Sequence, residues 1–520
     1  MADFGALSEL HNQQRPGRRF DKIYGKKKPA MAYSRAMHFH LFGGGDENHI
    51  VDKMDELKLK HDRDTPVQPV QEHPSPPKKQ PAEHDPRLRG RRKALPSRKM
   101  AALTPERSQA LTPLLGLIQR EVKDFQEFGR SIGKKYICTK LGEGAYADVF
   151  KLHPKDFEQA TDSPDEGGAV IKVIPFNIDK STEDDIVDLE SITREVRVFL
   201  TLTPLYGFAQ CRGVEVVSGK YPDVLLEAFH LYKSTDPTDA INPDPNDTTP
   251  PDQLYVIIEM SNAGTPISKI KKPSAFQTFD IFWKTAMTLA HAEDEAEFEH
   301  RDLHNGNVCF KPRTRDGPID ATEELIGNMT AEPDVTLGLS NLEVTVIDYT
   351  LSRAHVGNDS SGGDPIVFDP IVYWEQNDIE GRTEAEKRQY DTYRTVRDWA
   401  KTTEICVQAR AELDGVELEP MDKYMRFLPK SNVMWLGYLL ADMLSRNKGE
   451  GRAACLPGSS RAAKRLQMNI WRTLEQVEGY INGTTPTLMP ESARELLDTA
   501  VDQKWLTPAD IAAFKSQVEE

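Results

Sequence analysis

The order of segments along this 520-residue chain predicts an α+β fold, with a small β-rich lobe followed by a larger helical lobe. Short β-branched and apolar runs are concentrated between residues 136 and 258, whereas long apolar segments with helical spacing dominate after residue 261. The residues before them have the composition of a disordered arm. We therefore expect an arm at 1–110, a β-rich lobe with a leading helix at 111–260 and a helical lobe at 261–520.

Local patterns predict the elements of the two lobes. Apolar residues three and four positions apart indicate helices, and short β-branched runs bounded by turn residues indicate strands. A stretch dense in Pro, Asp, Asn and Thr indicates a solvent loop. These patterns predict helices at 111–132, 183–203, 276–298 and 431–444, strands at 136–141, 149–152, 169–175, 254–258 and 344–347, and a loop at 233–252, with more helices towards the C-terminus.

The arm is basic and the body is acidic. Residues 1–100 hold 21 Lys and Arg against 13 Asp and Glu, so of the net charge of −16 they carry +8 and the rest carries −24. Prolines crowd 65–86, which favours extended chain over a packed core. Basic clusters at 18–19, 26–28 and 87–93 favour nuclear import, with a solvated basic tail as the alternative. The acidic body suits a basic partner, although acidity also serves solubility.

Cysteine usage and hydropathy restrict the cellular setting. The five cysteines are scattered and form no C-x-x-C pair, which is typical of a reduced, intracellular protein without a zinc site or disulfides. No apolar run reaches the roughly 18 residues of a membrane-spanning helix. The N-terminus also lacks the apolar core of a secretory signal. We therefore expect no membrane association.

The first candidate motif is a glycine-rich turn between two predicted strands. Gly142 and Gly144 begin a G-x-G-x-x-A pattern that ends at Ala147 and is followed by Val149. Phosphoryl transfer needs a lid whose backbone can approach a triphosphate closely, and glycine permits that approach. Such a hairpin taken alone is more often only a hairpin.

The second motif is a lysine inside an apolar strand. Lys172 interrupts the run at 169–175, and a buried lysine is costly unless it is paired. It could hold the phosphates of a nucleotide if a carboxylate positioned it, or it could be a strand-end lysine that reaches solvent. Glu195 in the following predicted helix is the candidate partner, and Glu190 is an alternative.

The third motif, H-R-D-L-H-N-G-N at 300–307, is the most specific. It matches the catalytic loop H-R-D-x-x-x-x-N of protein kinases at full spacing. Asp302 would accept the proton of the attacking hydroxyl, and Asn307 would hold a Mg²⁺ ion. Asp348 leaves the predicted strand at 344–347 and would be the second metal ligand. The order of these motifs along the chain predicts a bilobal protein-kinase-like fold that uses ATP and Mg²⁺.

Three departures separate the chain from ordinary protein kinases. D-Y-T at 348–350 replaces the usual D-F-G, and no A-P-E follows at the usual distance. The segment between Asn307 and Asp348 is also long, and its middle part is polar. These features point to a divergent member of the class.

Several stretches resemble the haspin family of histone kinases. F-E-H-R-D-L-H-N-G-N at 298–307, with His304 where most protein kinases carry lysine, is similar to the haspin catalytic loop. V-I-D-Y-T-L-S-R at 346–353 is similar to the haspin D-Y-T segment, and the stretches 390–394 and 431–436 resemble two further haspin segments. The resemblance covers roughly residues 130–450.

The resemblance implies a divergent serine/threonine kinase whose activation segment is ordered without phosphorylation. It implies that the substrate is a threonine in the basic N-terminal tail of histone three, modified during mitosis. Chromatin contact through that substrate or the arm, and location in the nucleus with the cytoplasm as a second site, would follow. Glu143, His304 and Asp391 occupy positions that imply substrate contacts, and Glu259 begins the segment expected to contain the hinge to the nucleotide.

Two other functions remain open at this stage. Small-molecule kinases of the aminoglycoside or choline type also carry an H-x-D-x-x-x-x-N loop, but Arg301 and the glycine-rich hairpin are typical of protein kinases. A non-catalytic binding module on a kinase fold is the second alternative. A module that has lost catalysis would not be expected to keep the metal-site and phosphate-binding residues. The chain retains Lys172, Asp302, Asn307 and Asp348, which argues against this alternative.

Overall fold

The computed structural model describes residues 104–519 except 145–146, 156–167, 179–186, 236, 238–239, 241, 249, 314–316, 318, 323–336, 356–365, 368–382, 417–424, 448–459 and 484–488. The predictions for the basic clusters and the proline-rich stretch of the arm lie outside the described residues. Within those residues, no helix has both the length and the apolar content needed to span a membrane.

A mixed sheet of seven strands forms the small lobe. Its strands are β1 Lys123–Asp124, β2 Tyr136–Glu143, β3 Asp148–Pro154, β4 Ala169–Asn177, β5 Val187–Asp188, β6 Cys211–Ser218 and β7 Leu254–Ser261. Their order is β1-β6-β7-β4-β3-β2, and β5 also pairs with β4. Among the described residues of this sheet, the β1–β6 and β4–β5 pairs are parallel and the other pairs are antiparallel. The predicted strands around the glycine turn are present as the antiparallel β2–β3 hairpin.

The single leading helix predicted at 111–132 is wrong. The chain instead forms α1 Pro105–Ala110, α2 Thr112–Ile118 and α3 Phe125–Lys135. Helix α2 ends because Gln119 adopts a left-handed conformation, with φ of 52°. Helix α3 starts anew because the Asp124 side chain accepts a hydrogen bond from the Glu127 amide. Apolar spacing alone does not reveal such an interruption.

The next predicted helix and the predicted solvent loop also differ in extent. Helix α4, Leu189–Leu202, begins where the Asp188 side chain caps the Ser191 amide, later than predicted. Its buried face includes Ile192, Val196 and Phe199, as predicted. The region predicted as a loop contains the end of α5 Asp223–Thr235 and the short α6 Pro245–Thr248.

Helices build the large lobe. Helix α7 is buried over most of its length and begins with a capping box between Ser274 and Gln277. The predicted helices at 276–298 and 431–444 are confirmed by α7 and α9. The helices of this lobe are α7 Ala275–Ala296, α8 Glu384–Asp414, α9 Lys430–Ser445, α10 Arg461–Asn482, α11 Ala493–Asp502 and α12 Pro508–Glu519.

Small strands beneath the main sheet carry the loops of the candidate site. Strands β8 Thr265–Pro266, β9 Val308–Pro312 and β10 Leu342–Val346 form an antiparallel sheet in the order β10-β9-β8. The 300–307 motif precedes β9, and Asp348 follows β10 by two residues. Because β9 and β10 are hydrogen-bonded neighbours, the two motifs meet at one end of this sheet. Strands β11 Arg353–Ala354 and β12 Ile366–Val367 form a separate pair.

Candidate active site

A cavity of about 450 Å³ lies between the main sheet and the β8–β10 sheet. Strands β2, β3 and β4 contribute one wall through Gly142, Val149 and Lys172, and Cys309 and Asp348 lie on the opposite wall. A volume of this order suits a small-molecule or cofactor site. The end of β7 and the segment after it line one side of the cavity with residues 260–266.

The glycine-rich turn forms the edge of this cavity. The Gly144 amide donates to the Ala147 carbonyl at 2.7 Å, which closes the turn on itself. A Cβ added to Gly142 would meet nothing within 4 Å, so no protein neighbour requires glycine there. Gly142 lines the cavity, and the absence of a side chain leaves its backbone open to a ligand.

Two predicted nucleotide contacts lie elsewhere. Ala147 is 3% exposed and packs into the hydrophobic core instead of lining the cavity. Glu259 does not line the cavity either, because side chains alternate along β7 and Ile258 and Met260 face inwards. Burial is the main cause that raises the pKa of the Cys211 thiol, and the negative charge of Glu259 raises it further. The hinge segment lining the cavity therefore begins at Met260.

Lys172 is held in the cavity by two carboxylates. Its Nζ lies 2.7 Å from Glu195 Oε1 on α4 and 3.4 Å from Asp348 Oδ1. Burial by itself would lower the pKa of Lys172, but Asp348 and Glu195 outweigh it and hold that pKa above its ordinary value. Glu190, the alternative partner, is half exposed and lies 4.0 Å from Arg194 instead. The structure thus selects Glu195 as the partner of Lys172.

The buried carboxylate of Glu299 stabilises the loop at 300–307. Arg301 is fully buried, with φ of 64°, and its Nε and one terminal nitrogen donate to Glu299 at 3.1 and 3.2 Å. Glu299 also accepts from the Leu428 amide at 2.8 Å and the Ser431 hydroxyl at 2.9 Å. These bonds join the start of α9 to the residues that precede Asp302.

Asp302 and Asn307 face each other across the loop. Asn307 Nδ2 donates to the Asp302 carbonyl at 2.9 Å and lies 3.4 Å from Asp302 Oδ2. Because the amide nitrogen is used within the loop, the amide oxygen is the Asn307 atom that could bind a metal. The hydroxyl of Tyr393, on α8, donates to Asp302 Oδ1.

Asp348 adds a carboxylate to the oxygen atoms that could bind a metal ion. Its φ of 64° places it in the left-handed region, and its Oδ1 accepts from Lys172 and, at 2.7 Å, from the Thr350 hydroxyl. The Ile347 amide donates to the Asn307 carbonyl at 2.9 Å, which joins the two segments. A carboxylate and an amide oxygen beside one cavity are hard ligands that suit Mg²⁺.

Two histidines of the loop are neutral. Burial lowers the pKa of both His300 and His304 to about 4. His304 Nδ1 accepts from the Gly306 amide at 3.0 Å, and a Cβ on Gly306 would lie 2.7 Å from the imidazole. His304 is only 3% exposed, so it packs within the loop and offers no surface to a peptide, contrary to prediction.

The other two predicted substrate contacts are in different environments. The Glu143 side chain is 3% exposed, forms an ion pair with Lys140 and accepts from the Asn242 amide at 2.6 Å. Its carboxylate is therefore used within the protein, and the predicted peptide contact would have to break these bonds. Asp391 is 66% exposed on α8, where it pairs with Arg394 at 2.5 Å, and its predicted contact stays a prediction.

Three functional features were missed by sequence reasoning. Asn242 fixes the glycine-rich hairpin, since its Nδ2 donates to Asp148 at 3.0 Å and to the Ala147 carbonyl at 3.3 Å. Cys309 lines the cavity, and burial raises the pKa of its thiol to about 12. The contact of Tyr393 with Asp302 joins residues 91 positions apart. Of these features, only the location of Cys309 at the cavity could have been inferred from the sequence, because Cys309 lies two residues after Asn307.

The converging groups define the class of the protein. A glycine-edged cavity, a lysine–glutamate ion pair, a loop aspartate and two oxygen donors occupy the relative positions that a protein kinase domain requires. Both lobes and their order along the chain agree with this class.

Comparison with known proteins identifies the family. Residues 124–481 match the family described as "Haspin like kinase domain", which is more than half of the chain. The chain belongs to the haspin kinase family. It is 27% identical to the serine/threonine-protein kinase haspin homolog hrk1 of Schizosaccharomyces pombe over 358 residues, covering 66% of this chain and 62% of that protein.

Two further relatives show similar identity. The serine/threonine-protein kinase haspin of Mus musculus is 27% identical over 358 residues, covering 67% of this chain and 40% of the relative. The haspin homolog of Drosophila melanogaster is 26% identical over 318 residues, covering 59% and 48%. The matched region therefore spans less than two thirds of each of these relatives.

Proposed function

We propose that the chain is an ATP-dependent serine/threonine protein kinase that phosphorylates a threonine in the N-terminal tail of histone three during mitosis. The observation that carries the proposal is that Lys172, Asn307 and Asp348 line one cavity, while Asp302 lies beside it, with its Oδ2 3.4 Å from Asn307 Nδ2. Membership of the haspin kinase family and the names of the matched relatives support the choice of substrate.

Each side chain has a distinct task in this reaction. Lys172, positioned by Glu195, binds phosphate oxygens of ATP, and the backbone at Gly142 and Gly144 approaches the triphosphate. Asn307 and Asp348 would hold Mg²⁺, which neutralises phosphate charge when it is bound. Asp302 accepts the proton of the threonine hydroxyl. The threonine oxygen bonds to the γ-phosphorus of ATP as the bond between that phosphorus and the ADP oxygen breaks.

The charge of the body supports a basic peptide as substrate. The chain carries a net charge of −16 in spite of its basic arm. Such a body raises the local concentration of a basic histone tail by long-range attraction, mainly through the rate of encounter. The exposed carboxylate of Asp391, two residues from Tyr393 on α8, is suitably located for part of this attraction. The basic arm supports nuclear location and contact with chromatin.

The direct test is a transfer assay with radiolabelled ATP and a histone mixture, followed by mapping of the labelled residue. We expect label on a threonine of the histone three tail and none with Asp302→Asn. Labelling should fall steeply with added salt, because screening weakens the attraction of exposed charges. Choline and aminoglycosides belong in the same panel. Label on either of these and none on histones would contradict the proposal.

A further inference from the structure

The catalytic carboxylate receives a hydrogen bond from outside its loop. Tyr393 is 3% exposed on α8, and its hydroxyl donates to Asp302 Oδ1. Its ring packs edge-on against Trp435 of α9, with centroids 4.9 Å apart. Gln389, one turn earlier, donates to the tyrosine oxygen at 3.4 Å. Packing and hydrogen bonds therefore fix the position of this hydroxyl independently of the loop.

Tyr393 and Asn307 contact different oxygens of the Asp302 carboxylate. Tyr393 donates to Oδ1, and Asn307 Nδ2 lies 3.4 Å from Oδ2. The terminal torsion of an aspartate is broad, so a carboxylate without such donors samples many orientations. Donors at both oxygens restrict that rotation. Each carboxylate oxygen has further lone pairs, so Asp302 can still accept the proton of a substrate hydroxyl.

The His304 ring does not reach Oδ1 of Asp302 within hydrogen-bond distance. His304 has the position at which most protein kinases carry lysine, but its Nε2 lies 3.9 Å from Asp302 Oδ1, beyond hydrogen-bond range. His304 Nδ1 accepts a hydrogen bond from the Gly306 amide and therefore carries no proton, so the ring is not the doubly protonated cation. The position that carries lysine in most protein kinases therefore holds an uncharged ring here. Tyr393 donates to Asp302 Oδ1 from helix α8.

We propose that Tyr393 is a positioning residue that orients the Asp302 carboxylate for proton acceptance, and that helix α8 thereby supplies what the loop histidine does not. The proposal rests on phosphotransfer at the proposed site but on no particular substrate. If the phenol instead only blocked the acceptor position on Asp302, removing its hydroxyl would raise the rate of phosphotransfer.

The test is Tyr393→Phe, which removes the hydroxyl and keeps the ring against Trp435. A hydrogen bond to a charged group is worth enough for us to expect a fall in kcat of about ten- to hundredfold. The KM for ATP and the thermal midpoint should stay at their wild-type values. Tyr390→Phe is the matched control, because Tyr390 is a buried tyrosine three residues away on the same helix.

A double-mutant cycle separates positioning from general support of the fold. Once Asp302→Asn has removed the base, adding Tyr393→Phe should cost nothing further in single-turnover transfer. Additive losses, a faster Tyr393→Phe enzyme, or an equal loss in Tyr390→Phe would overturn the proposal. Rates are measured with histones and also as hydrolysis of ATP by water. Failure on histones alone would then count against the substrate, whereas an unchanged hydrolysis rate would count against Tyr393.

Discussion

Replacing Glu195 by Gln tests whether the ion pair to Lys172 organises the nucleotide site. The glutamine keeps the size of the side chain and can still accept a hydrogen bond, but it removes the negative charge 2.7 Å from the lysine amine. Lys172 then has the carboxylate of Asp348 as its nearest charged partner, at 3.4 Å. The lysine is drawn towards a metal ligand and away from the phosphates, so nucleotide affinity and turnover should both fall.

The structure allows the size of this effect to be worked out. The two side chains are 15% and 11% exposed, so the pair is mostly removed from water. Coulomb attraction at this distance is about 6 kcal/mol for an effective dielectric of about 20. Desolvation offsets part of it, and breaking a buried pair typically costs about 3–5 kcal/mol. Taking the lower end because of the remaining exposure, about 3 kcal/mol is the most that the pair can contribute to positioning the lysine amine in the transition state, so we expect kcat/KM to fall by up to roughly 150-fold.

The assay is steady-state transfer from radiolabelled ATP, with the unfolding midpoint measured for each variant. Glu190→Gln is the matched control, since Glu190 lies on the same helix but is half exposed and near Arg194. The control should stay within about twofold of wild type, because exposed pairs contribute little. A Glu195→Gln enzyme with wild-type kcat/KM, or a larger loss in the control, would refute the assignment of the pair.

Four further outcomes test other parts of the site. Asp302→Asn should lower turnover by about 10²- to 10⁴-fold while calorimetric ATP affinity stays near wild type, and normal turnover would disprove its role as base. Asp348→Ala should abolish the Mg²⁺-dependent gain in nucleotide affinity; a gain equal to that of wild type would exclude it as a ligand. Glu299→Ala should lower the free energy of unfolding in urea by about 3–5 kcal/mol, because it removes the carboxylate that pairs with the buried Arg301 guanidinium, and an unchanged midpoint would contradict this. His300 and His304 have folded pKa values of about 4, below the ordinary 6.5, so their stabilisation is complete above pH 6.5 and is lost as the pH falls towards 4; His304→Gln should show a shallower acid loss than wild type.

The parts of the fold that the sequence predicted are those specified by local pattern. The β2–β3 hairpin, the buried strand with Lys172 and the apolar helices α7 and α9 each have a clear periodicity, and all are present. The motif at 300–307 stands out in the sequence because phosphoryl transfer fixes both the residue types and their spacing around Asp302 and Asn307. These short-range constraints also placed Asp348 correctly beside the cavity.

The errors arose where distant residues decide the environment. Glu143 and His304 looked available for a substrate, but Lys140 and Asn242 engage the first and the loop encloses the second. Nothing in the local sequence around Asn242 indicates that it fixes a hairpin almost 100 positions earlier. Likewise, the polar composition of α8 gives no sign that Tyr393 reaches Asp302. Burial and long-range contacts are properties of the tertiary packing.

The burial of Arg301 bears on how such an enzyme can be switched on and off. Arginines that receive a phosphate on a regulatory segment must be accessible to it. Here the guanidinium is fully enclosed and bound to Glu299, so an incoming phosphate would first have to displace that carboxylate. The displacement would also break the hydrogen bonds that the Leu428 amide and the Ser431 hydroxyl donate to Glu299. Regulation by covalent phosphate would therefore have to use a receiver other than Arg301, or act through access of the substrate.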